Sequence, residues 1–271
     1  MSTIKHLADR AVVRITGEDR RPFLQGLVTQ DIDQVNEDNA GFAALLTPQG
    51  KILFDFMIAE RDGAFLIDCD KDAAPALVKR LTLYKLRAKV TINIDETLEV
   101  MTSQAPPAPS AGIAFPDPRL PKLGWRIIAP KGDGAIDDDY DRKRIALGVP
   151  ECGRDFNADE IFPLDVNYDA LNGVSYAKGC FVGQEVASRM KRKSEVRKRT
   201  IIAEFDGPAP EKGAAITAGD FTLGQVMSTA DTTALALIRL DRWGKSKAAG
   251  ANIECETRSL RLHVPDYLKQ D

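Results

Sequence analysis

The sequence has few of the side chains that build a metal site or a disulfide framework. Its 271 residues include two histidines and four widely separated cysteines, Cys69, Cys152, Cys180 and Cys255. No CxxC pair or Cys/His cluster is present, so neither a zinc site nor a self-contained iron–sulfur site is supported. We expect four free thiols and no resident metal, because disulfide frameworks are rare in cytoplasmic chains of this size.

The sequence also lacks a long apolar run and an excess of charge of either sign. No stretch offers the roughly 18 uncharged apolar residues of a membrane span, so we expect no membrane partner. The first residues carry Asp9 and no apolar signal core, which predicts a cytoplasmic location. Lys and Arg total 37 against 40 Asp and Glu, a net charge of -3. We therefore expect no direct binding of nucleic acid.

What is present predicts an α+β fold of mostly antiparallel sheets with helices. The runs AVVRI, GFAALLT, KILFDFMIAE and AFLIDC read as strands, the last three joined by the turn signals PQG and RDG. Apolar periodicity predicts helices over residues 16–31, capped by Thr16, and from Asp70 to about Leu86. The hydrophobic share of 44% is enough for a substantial core.

Proline and glycine divide this chain into three predicted lobes. Residues 105–121 hold six of the fifteen prolines and read as a connection between lobes. From about Arg199 the pattern changes to short strands and glycine turns, which predicts a small barrel or sandwich. We predict a first α+β lobe at 1–104, a second at 105–198, and a C-terminal β-barrel at 199–271.

The stretch KGCFVGQE, residues 178–185, places a thiol close to a cation. Lys178 and Arg189 can lower the pKa of the Cys180 thiol and keep part of it as thiolate. The alternative is that Cys180 is a small buried hydrophobe in a glycine turn. Composition alone leaves both interpretations open.

A carboxylate interrupts the apolar strand KILFDFMIAE. Alternation places Asp55 with Leu53 and Met57, on the face opposite Phe54 and Phe56. A carboxylate among apolar neighbours needs a partner. That partner is either a backbone or arginine donor, or a polar ligand in a cleft.

A basic run follows the KGCFVGQE stretch. Between Arg189 and Arg199 there are seven Lys or Arg residues and one acid, Glu195. Such a run is usually a solvated face, but here it can also contact an anionic ligand tail or an RNA backbone. No aromatic residue is interleaved with it, which favours a general anion contact over RNA reading.

Together these residues carry a family resemblance. The chain resembles the YgfZ-type, CAF17-like folate-binding proteins, which are related to the T-protein (aminomethyltransferase) of the glycine cleavage system. The hallmark K-G-C-[YF]-x-G-Q-E is present in full, and the resemblance covers nearly the whole chain. Supporting segments are RPFLQGLVTQDI, LLTPQGKILFD, the Leu-Gly-Trp at 123–125, RIALGVPE and GVSYAKG.

The resemblance implies three lobes arranged as a ring, with a tetrahydrofolate-type cofactor in the central opening. It implies an association with assembly or maintenance of iron–sulfur proteins, some of which modify tRNA. Asp55 falls at the catalytic aspartate of the T-protein, and Cys180 is the implied functional thiol. Ala146 stands where T-proteins have a pteridine-binding glutamate. The implied cofactor-binding residues are Asp55, Tyr176, Lys178, Gln184, Glu185 and Arg189.

Three functions are consistent with this resemblance. The leading hypothesis is a folate-binding accessory factor for iron–sulfur client or assembly proteins, which supports tRNA modification indirectly and is not a conventional enzyme. The enzymatic alternative is a folate-dependent, aminomethyltransferase-like one-carbon transferase that uses Asp55 and not Cys180. The third is an RNA- or protein-interaction module with a vestigial pocket.

Overall fold

The computed structural model describes residues 4–108, 112–193 and 196–269, so Glu195 and part of the proline-rich connection lie outside the described residues. The chain divides into two compact units. The first consists of Met1–Asp138 and Asn172–Gln184, and the second of Asp139–Leu171 and Glu185–Asp271. The predicted division into three lobes stays a prediction.

The first unit contains two antiparallel sheets. The larger has the strand order β3-β4-β5-β2-β6 and the smaller β1-β7-β9-β8. Their bounds are β1 (Lys5–His6), β2 (Arg10–Thr16), β3 (Gly41–Leu46), β4 (Ile52–Arg61), β5 (Ala64–Asp70), β6 (Thr91–Ile94), β7 (Leu98–Ser103), β8 (Ile113–Pro116) and β9 (Trp125–Pro130). The predicted strands and the antiparallel meander of the larger sheet are therefore confirmed.

The first helix is shorter than the sequence predicts. α1 spans only Arg20–Gln25, because Thr16 is still paired in β2 and Gly17 turns the chain at a φ of +111°. A 3-10 turn, Ile32–Gln34, follows. The second predicted helix is confirmed as α2 (Ala74–Lys85). Both helices pack their apolar residues, such as Leu24 and Leu77, into the core under one face of the larger sheet.

The second unit contains a closed six-stranded barrel, which decides between the predicted barrel and sandwich. Its strand order is β10-β13-β12-β11-β14-β15. The strands are β10 (Lys198–Phe205), β11 (Ala215–Ala218), β12 (Phe221–Ala230), β13 (Thr233–Arg239), β14 (Ile253–Cys255) and β15 (Arg258–His263). α3 (Tyr140–Ala146) and α5 (Leu240–Ala248) pack on barrel strands, and α4 (Gln184–Lys193) begins at the last residue of the first unit and continues in the second. Strand patterns did not predict α4 or α5.

Candidate functional site

The segment 172–184, which carries most of the KGCFVGQE stretch, is fastened to the residues that follow α1. Thr29 Oγ1 donates to the Gly173 carbonyl at 2.6 Å, and the Thr29 carbonyl accepts from Ser175 N at 2.9 Å. Gln30 Nε2 donates to the Asn172 carbonyl at 2.8 Å. Two motifs far apart in sequence, QGLVTQD and GVSYAKG, are thereby joined in one unit.

Lys178 is the strongest of these attachments. Its Nζ donates to three backbone carbonyls, those of Gln25 at 2.8 Å, Val28 at 2.7 Å and Gln30 at 2.7 Å. An ammonium group has three N–H bonds, so each one has an acceptor. Burial lowers the pKa of Lys178 to about 8. The side chain holds the segment in place, and its predicted effect on the Cys180 thiol stays a prediction.

Gly183 brings a third motif, LLTPQG, against this segment. Its φ is +80°, and an added Cβ would lie 2.5 Å from the Thr47 carbonyl oxygen and 3.0 Å from the Leu46 Cβ. Only glycine combines this backbone conformation with so close an approach. Gln184 Nε2 donates to the Gly179 carbonyl at 3.2 Å, which closes the loop from the other end.

The loop between these attachments presents Cys180 to solvent. Cys180 is exposed, whereas Cys69, Cys152 and Cys255 are buried, and all four are free thiols as predicted. Burial raises the pKa of the Cys69 thiol to about 12 and also raises that of Cys255. A buried thiol with a raised pKa is inert at neutral pH. Cys180 is therefore the accessible thiol of the four.

Asp55 lies in the middle of the larger sheet, directly opposite Ala44 on β3. Its neighbours Phe56 and Ile58 belong to the sheet's apolar core, while Asp55 itself is only 4% exposed. Ala44 N donates to Thr29 Oγ1 at 2.8 Å, so the strand beside Asp55 is tied to the residue that holds the 172–184 segment. The two interpretations of Asp55, internal partner or ligand contact, both remain open.

Buried charges lie on the same sheet. Met57 pairs with Asp68 of β5, so Asp68 and Asp55 share one face by alternation. Asp68 Oδ1 accepts from Arg10 Nε at 2.6 Å, and its Oδ2 lies 3.5 Å from Arg126 Nε. All three side chains are at most 5% exposed. Sequence reasoning missed this cluster, although opposite charges inside the apolar strands AFLIDC and GWRIIA were a usable signal.

The cluster continues to the start of the 172–184 segment. Arg126 Nη2 lies 3.5 Å from Asp117 Oδ2, which accepts from Arg119 Nη2 at 2.7 Å. Burial alone would raise the pKa of Asp117, but the Arg119 charge and hydrogen bonds hold it below its usual range. Between them, the carbonyl of Pro118 accepts from Asn172 Nδ2 at 3.0 Å. The buried ionic network thus extends from the Asp55 face to Asp117 and Arg119, and a neutral, exposed hydrogen bond at Pro118 links its end to Asn172.

The remaining predicted site residues lie in different places. Tyr176 is half-buried within the cysteine segment. Glu185 and Arg189 are exposed on α4, in the second unit. Ala146 is exposed at the end of α3, also in the second unit, and offers no hydrogen-bonding side chain. Asp55, Tyr176, Lys178, Cys180 and Gln184 all belong to the first unit, and their assignment to one site stays a prediction.

The basic run is partly neutralised. Asp169, whose side chain is buried, accepts from Lys191 Nζ at 3.1 Å and from Arg199 Nη2 at 2.9 Å. Burial would raise the Asp169 pKa, but its hydrogen bonds to Arg199 hold it below the usual value. Arg189, Arg192, Arg197 and Lys198 are exposed. Less of the run's charge is available to an anionic ligand than the sequence alone indicates.

No group of three or more His, Cys, Asp or Glu side chains within residues 4–108, 112–193 and 196–269 has the arrangement of a metal site. Over the same ranges, no helix is both long enough and apolar enough to cross a bilayer.

Comparisons with known proteins agree with this architecture. Residues 197–270 match the family described as the CAF17 C-terminal beta-barrel domain. The chain is 32% identical over 303 residues to the mitochondrial iron-sulfur cluster assembly factor IBA57 of Homo sapiens, covering 96% of this chain and 84% of that protein. The Mus musculus protein of the same name is 30% identical, with 88% and 77% covered.

A solved structure supports the fold independently. The glycine cleavage system aminomethyltransferase T from Bartonella henselae superimposes with a TM-score of 0.77, over 99% of this chain and 87% of that one. At 14% identity this likeness shows the fold alone.

The predicted cytoplasmic location is wrong by these comparisons, because the human and mouse relatives are both named as mitochondrial proteins. That prediction depended on the absence of a secretory signal and of a membrane span. Neither absence distinguishes the cytoplasm from a compartment inside an organelle.

Proposed function

The chain belongs to the CAF17-type family of the IBA57 proteins, related to the aminomethyltransferase T-protein, and from this premise we propose that it acts in the assembly or maintenance of iron–sulfur proteins. The observation that carries the proposal is the exposed Cys180 thiol, held on a segment fixed by Lys178 and Gly183. A thiolate is the ligand that iron–sulfur clusters prefer.

One accessible cysteine limits what the protein does with a cluster. An iron–sulfur cluster needs about four protein ligands, most often thiolates. Cys180 supplies one, so the other ligands come from a client or an assembly partner. The protein then acts on a cluster as cargo, in a contact that forms and breaks. Support for tRNA modification follows indirectly, through clients that carry such clusters.

A reduced folate, tetrahydrofolate or a derivative, is the second part of the proposal. The residues present fit it in part: Asp55 is a buried carboxylate able to accept from a pterin N–H, whereas Ala146 offers nothing to pair with. Asp55 would hold the folate, and the folate would supply one-carbon chemistry when bound. The predicted contacts of Tyr176 and Gln184 belong to the same proposal.

The likeness to an aminomethyltransferase favours one alternative, a folate-dependent one-carbon transferase. The two functions differ in the residue that is indispensable. Transfer of a folate-bound carbon needs the Asp55 carboxylate and no thiol, while a cluster contact needs Cys180.

Complementation in cells that lack the native factor tests the proposal. We expect Cys180→Ser to lose support for the cell's iron–sulfur enzymes, measured as their activities in extracts. Ala177→Ser, an exposed neighbour on the same segment, is the matched control and should behave as the wild type. Full activity of the iron–sulfur enzymes with Cys180→Ser, together with their loss with Asp55→Asn, would replace the proposal with the transferase.

Calorimetric titration with tetrahydrofolate tests the folate part separately. We expect Asp55→Asn to weaken binding by about 1.5–3 kcal/mol, the contribution of a charge-assisted hydrogen bond. Unchanged affinity in that variant would remove Asp55 from the folate contact and leave the role of Cys180 standing.

A further inference from the structure

The second unit has a cavity that the proposed function does not use. Its volume is ≈ 360 Å³, within the range of about 300–1,000 Å³ typical of small-molecule sites. Four apolar side chains line one side, those of Ile161, Phe162, Leu223 and Leu237. Cys180 and Asp55, the residues proposed for clusters and folate, belong to the first unit, and neither lines this cavity.

Three cations line the same cavity, and two of them face each other. Lys198 of β10 is directly opposite Arg239 of β13. Like charges in this position destabilise a sheet. Asp241 neutralises the Arg239 charge, because its two carboxylate oxygens accept from Arg239 Nε at 3.1 Å and from Nη2 at 2.7 Å. The Lys198 side chain forms no hydrogen bond or ion pair in the described part of the chain; its charge acts on the Asp165 carboxyl of the same cavity, and its ammonium N–H groups can donate to a ligand.

The third cation extends the positive side of the cavity. Arg242 of α5 donates from Nη1 to the Thr222 carbonyl at 2.7 Å, which fixes its guanidinium at the wall. A guanidinium has five N–H donors, so this bond leaves others for an anion. Arg242 and Lys198 thus combine a fixed planar donor with a mobile point charge.

Two acids also line the cavity, and they limit the ligand to a low charge. Glu160 is exposed, so its charge is well screened. Burial raises the pKa of Asp165 to about 6, against the opposing charges of Lys198 and Arg199. Its carboxyl group is therefore only weakly acidic and becomes a hydrogen-bond donor below that pH. With Arg239 paired to Asp241, the cavity keeps Lys198 and Arg242 against Glu160 and, above about pH 6, Asp165, a balance that suits no ligand more charged than a monoanion.

We propose that this cavity binds a small amphiphilic anion, with an apolar body against Phe162, Leu223 and Leu237 and one carboxylate at Lys198 and Arg242. Such a carboxylate is found on a free organic acid and at the C-terminus of a peptide. The two sources share the same contacts and are separated by the experiment.

Calorimetry on the full chain provides the test, with 3-phenylpropionate as the probe and 3-phenylpropionamide as the uncharged control. We expect saturable binding of the acid with a Kd below about 1 mM and none of the amide. Lys198→Gln and Arg242→Gln should each raise the Kd about tenfold, whereas Lys245→Gln, an exposed lysine of α5 outside the cavity, should leave it unchanged. Trp243 fluorescence confirms that each variant is folded.

A tripeptide ending in phenylalanine, with a free or an amidated C-terminus, separates the two sources. Tighter binding of the free tripeptide than of 3-phenylpropionate assigns the site to a peptide terminus, and the reverse assigns it to an organic acid. Equal binding of acid and amide, or an unchanged Kd in both glutamine variants, would overturn the proposal.

Discussion

The larger sheet of the first unit and the barrel of the second enclose two different kinds of interior. The barrel's core is apolar and tightly filled, with small residues such as Ala203, Ala234 and Ala236 where its strands face each other. One face of the sheet packs on a wholly apolar core, whereas the other buries charged side chains among apolar ones such as Met57 and Leu66. On this charged face Asp68 and Arg10 form a direct ion pair.

This difference indicates what each region is for. Burying an ion pair usually contributes less stability than burying apolar groups of the same size, because both charges lose their hydration. The buried charges on this face of the sheet therefore contribute little to the stability of the fold, but their directional contacts restrict the positions of the side chains that make them. Through Asp117 and the Pro118 carbonyl these contacts reach Asn172, where the cysteine segment begins. The apolar barrel has no such network in its core.

The largest expected effect tests whether the buried charges matter energetically. Asp68→Ala leaves Arg10 and Arg126 buried beside each other, so we expect it to lower the free energy of unfolding by about 3–5 kcal/mol. Ile238→Val in the barrel core should cost only about 0.5–1.5 kcal/mol. Urea denaturation measures both.

The two tryptophans allow each unit to be followed by itself. Trp125 lies in the first unit and Trp243 in the second. Asp68→Ala is measured in a Trp243→Phe background, and Ile238→Val in a Trp125→Phe background. A cost for Asp68→Ala no larger than that for Ile238→Val would remove the energetic difference between the two interiors.

An intermediate effect concerns Asp165, whose carboxyl group is half-buried beside the barrel. Its pKa in the folded protein, about 6, is above the ordinary value of 3.8, so the folded state binds the proton more tightly. The ionised group then costs stability above pH 6, and this cost disappears as the pH falls toward 4. We expect Asp165→Asn to stabilise the second unit by about 1–3 kcal/mol at pH 8.

Thermal unfolding at pH 8 and at pH 4, followed by Trp243 fluorescence, checks this sign. The gain of Asp165→Asn should be present at the higher pH and absent at the lower one. A constant gain at both would show that the carboxyl's ionisation is not its cause.

The smallest perturbation compares the thiols of the two regions without altering the fold. Iodoacetamide labelling with peptide mapping, over a pH series, should modify Cys180 first, because it alone of the four cysteines is exposed. Cys69 in the sheet and Cys255 in the barrel should react only after unfolding, since burial raises both pKa values. If Cys152 were labelled before Cys180, the loop would be protecting the Cys180 thiol, and burial would not be protecting Cys152.

Local sequence patterns correctly predicted the elements whose bounds depend little on tertiary contacts. The alternation in KILFDFMIAE was enough to place Asp55 opposite the apolar core, and short strands with glycine turns were enough for an all-β region, though not to choose a barrel over a sandwich. The helix at α1 was overestimated, because the pairing of Thr16 with Thr91 of β6 extends the strand that precedes it. That pairing is a tertiary contact, and the spacing of apolar residues along the chain gives no information about it.

The sequence nominated residues for the candidate site, and that assignment stays a prediction; it could not predict the contacts of those residues. KGCFVGQE identified Cys180 and Lys178, and the exposure of the thiol agrees with its glycine-flanked loop. The acceptors of Lys178 could not be predicted, because they are backbone carbonyls of the α1 region, about 150 residues earlier, and carbonyls have no sequence signature. Asp68 and Arg126 were missed for a related reason: their contact joins β5 and β9, strands of two different sheets, and strand patterns do not predict how two sheets pack.

The division of the first unit along the chain has a consequence for synthesis on the ribosome. Its closing piece, Asn172–Gln184, is translated only after residues 139–171, which belong to the other unit. Lys178 reaches the carbonyl of Gln25 across 153 positions, a delay of about 8–30 s at 5–20 residues per second. During that interval the nascent sheet exists without its cysteine loop. The loop that exposes Cys180 is therefore held in place only in chains long enough to complete the first unit, so a product that stalls before residue 178 presents no such loop.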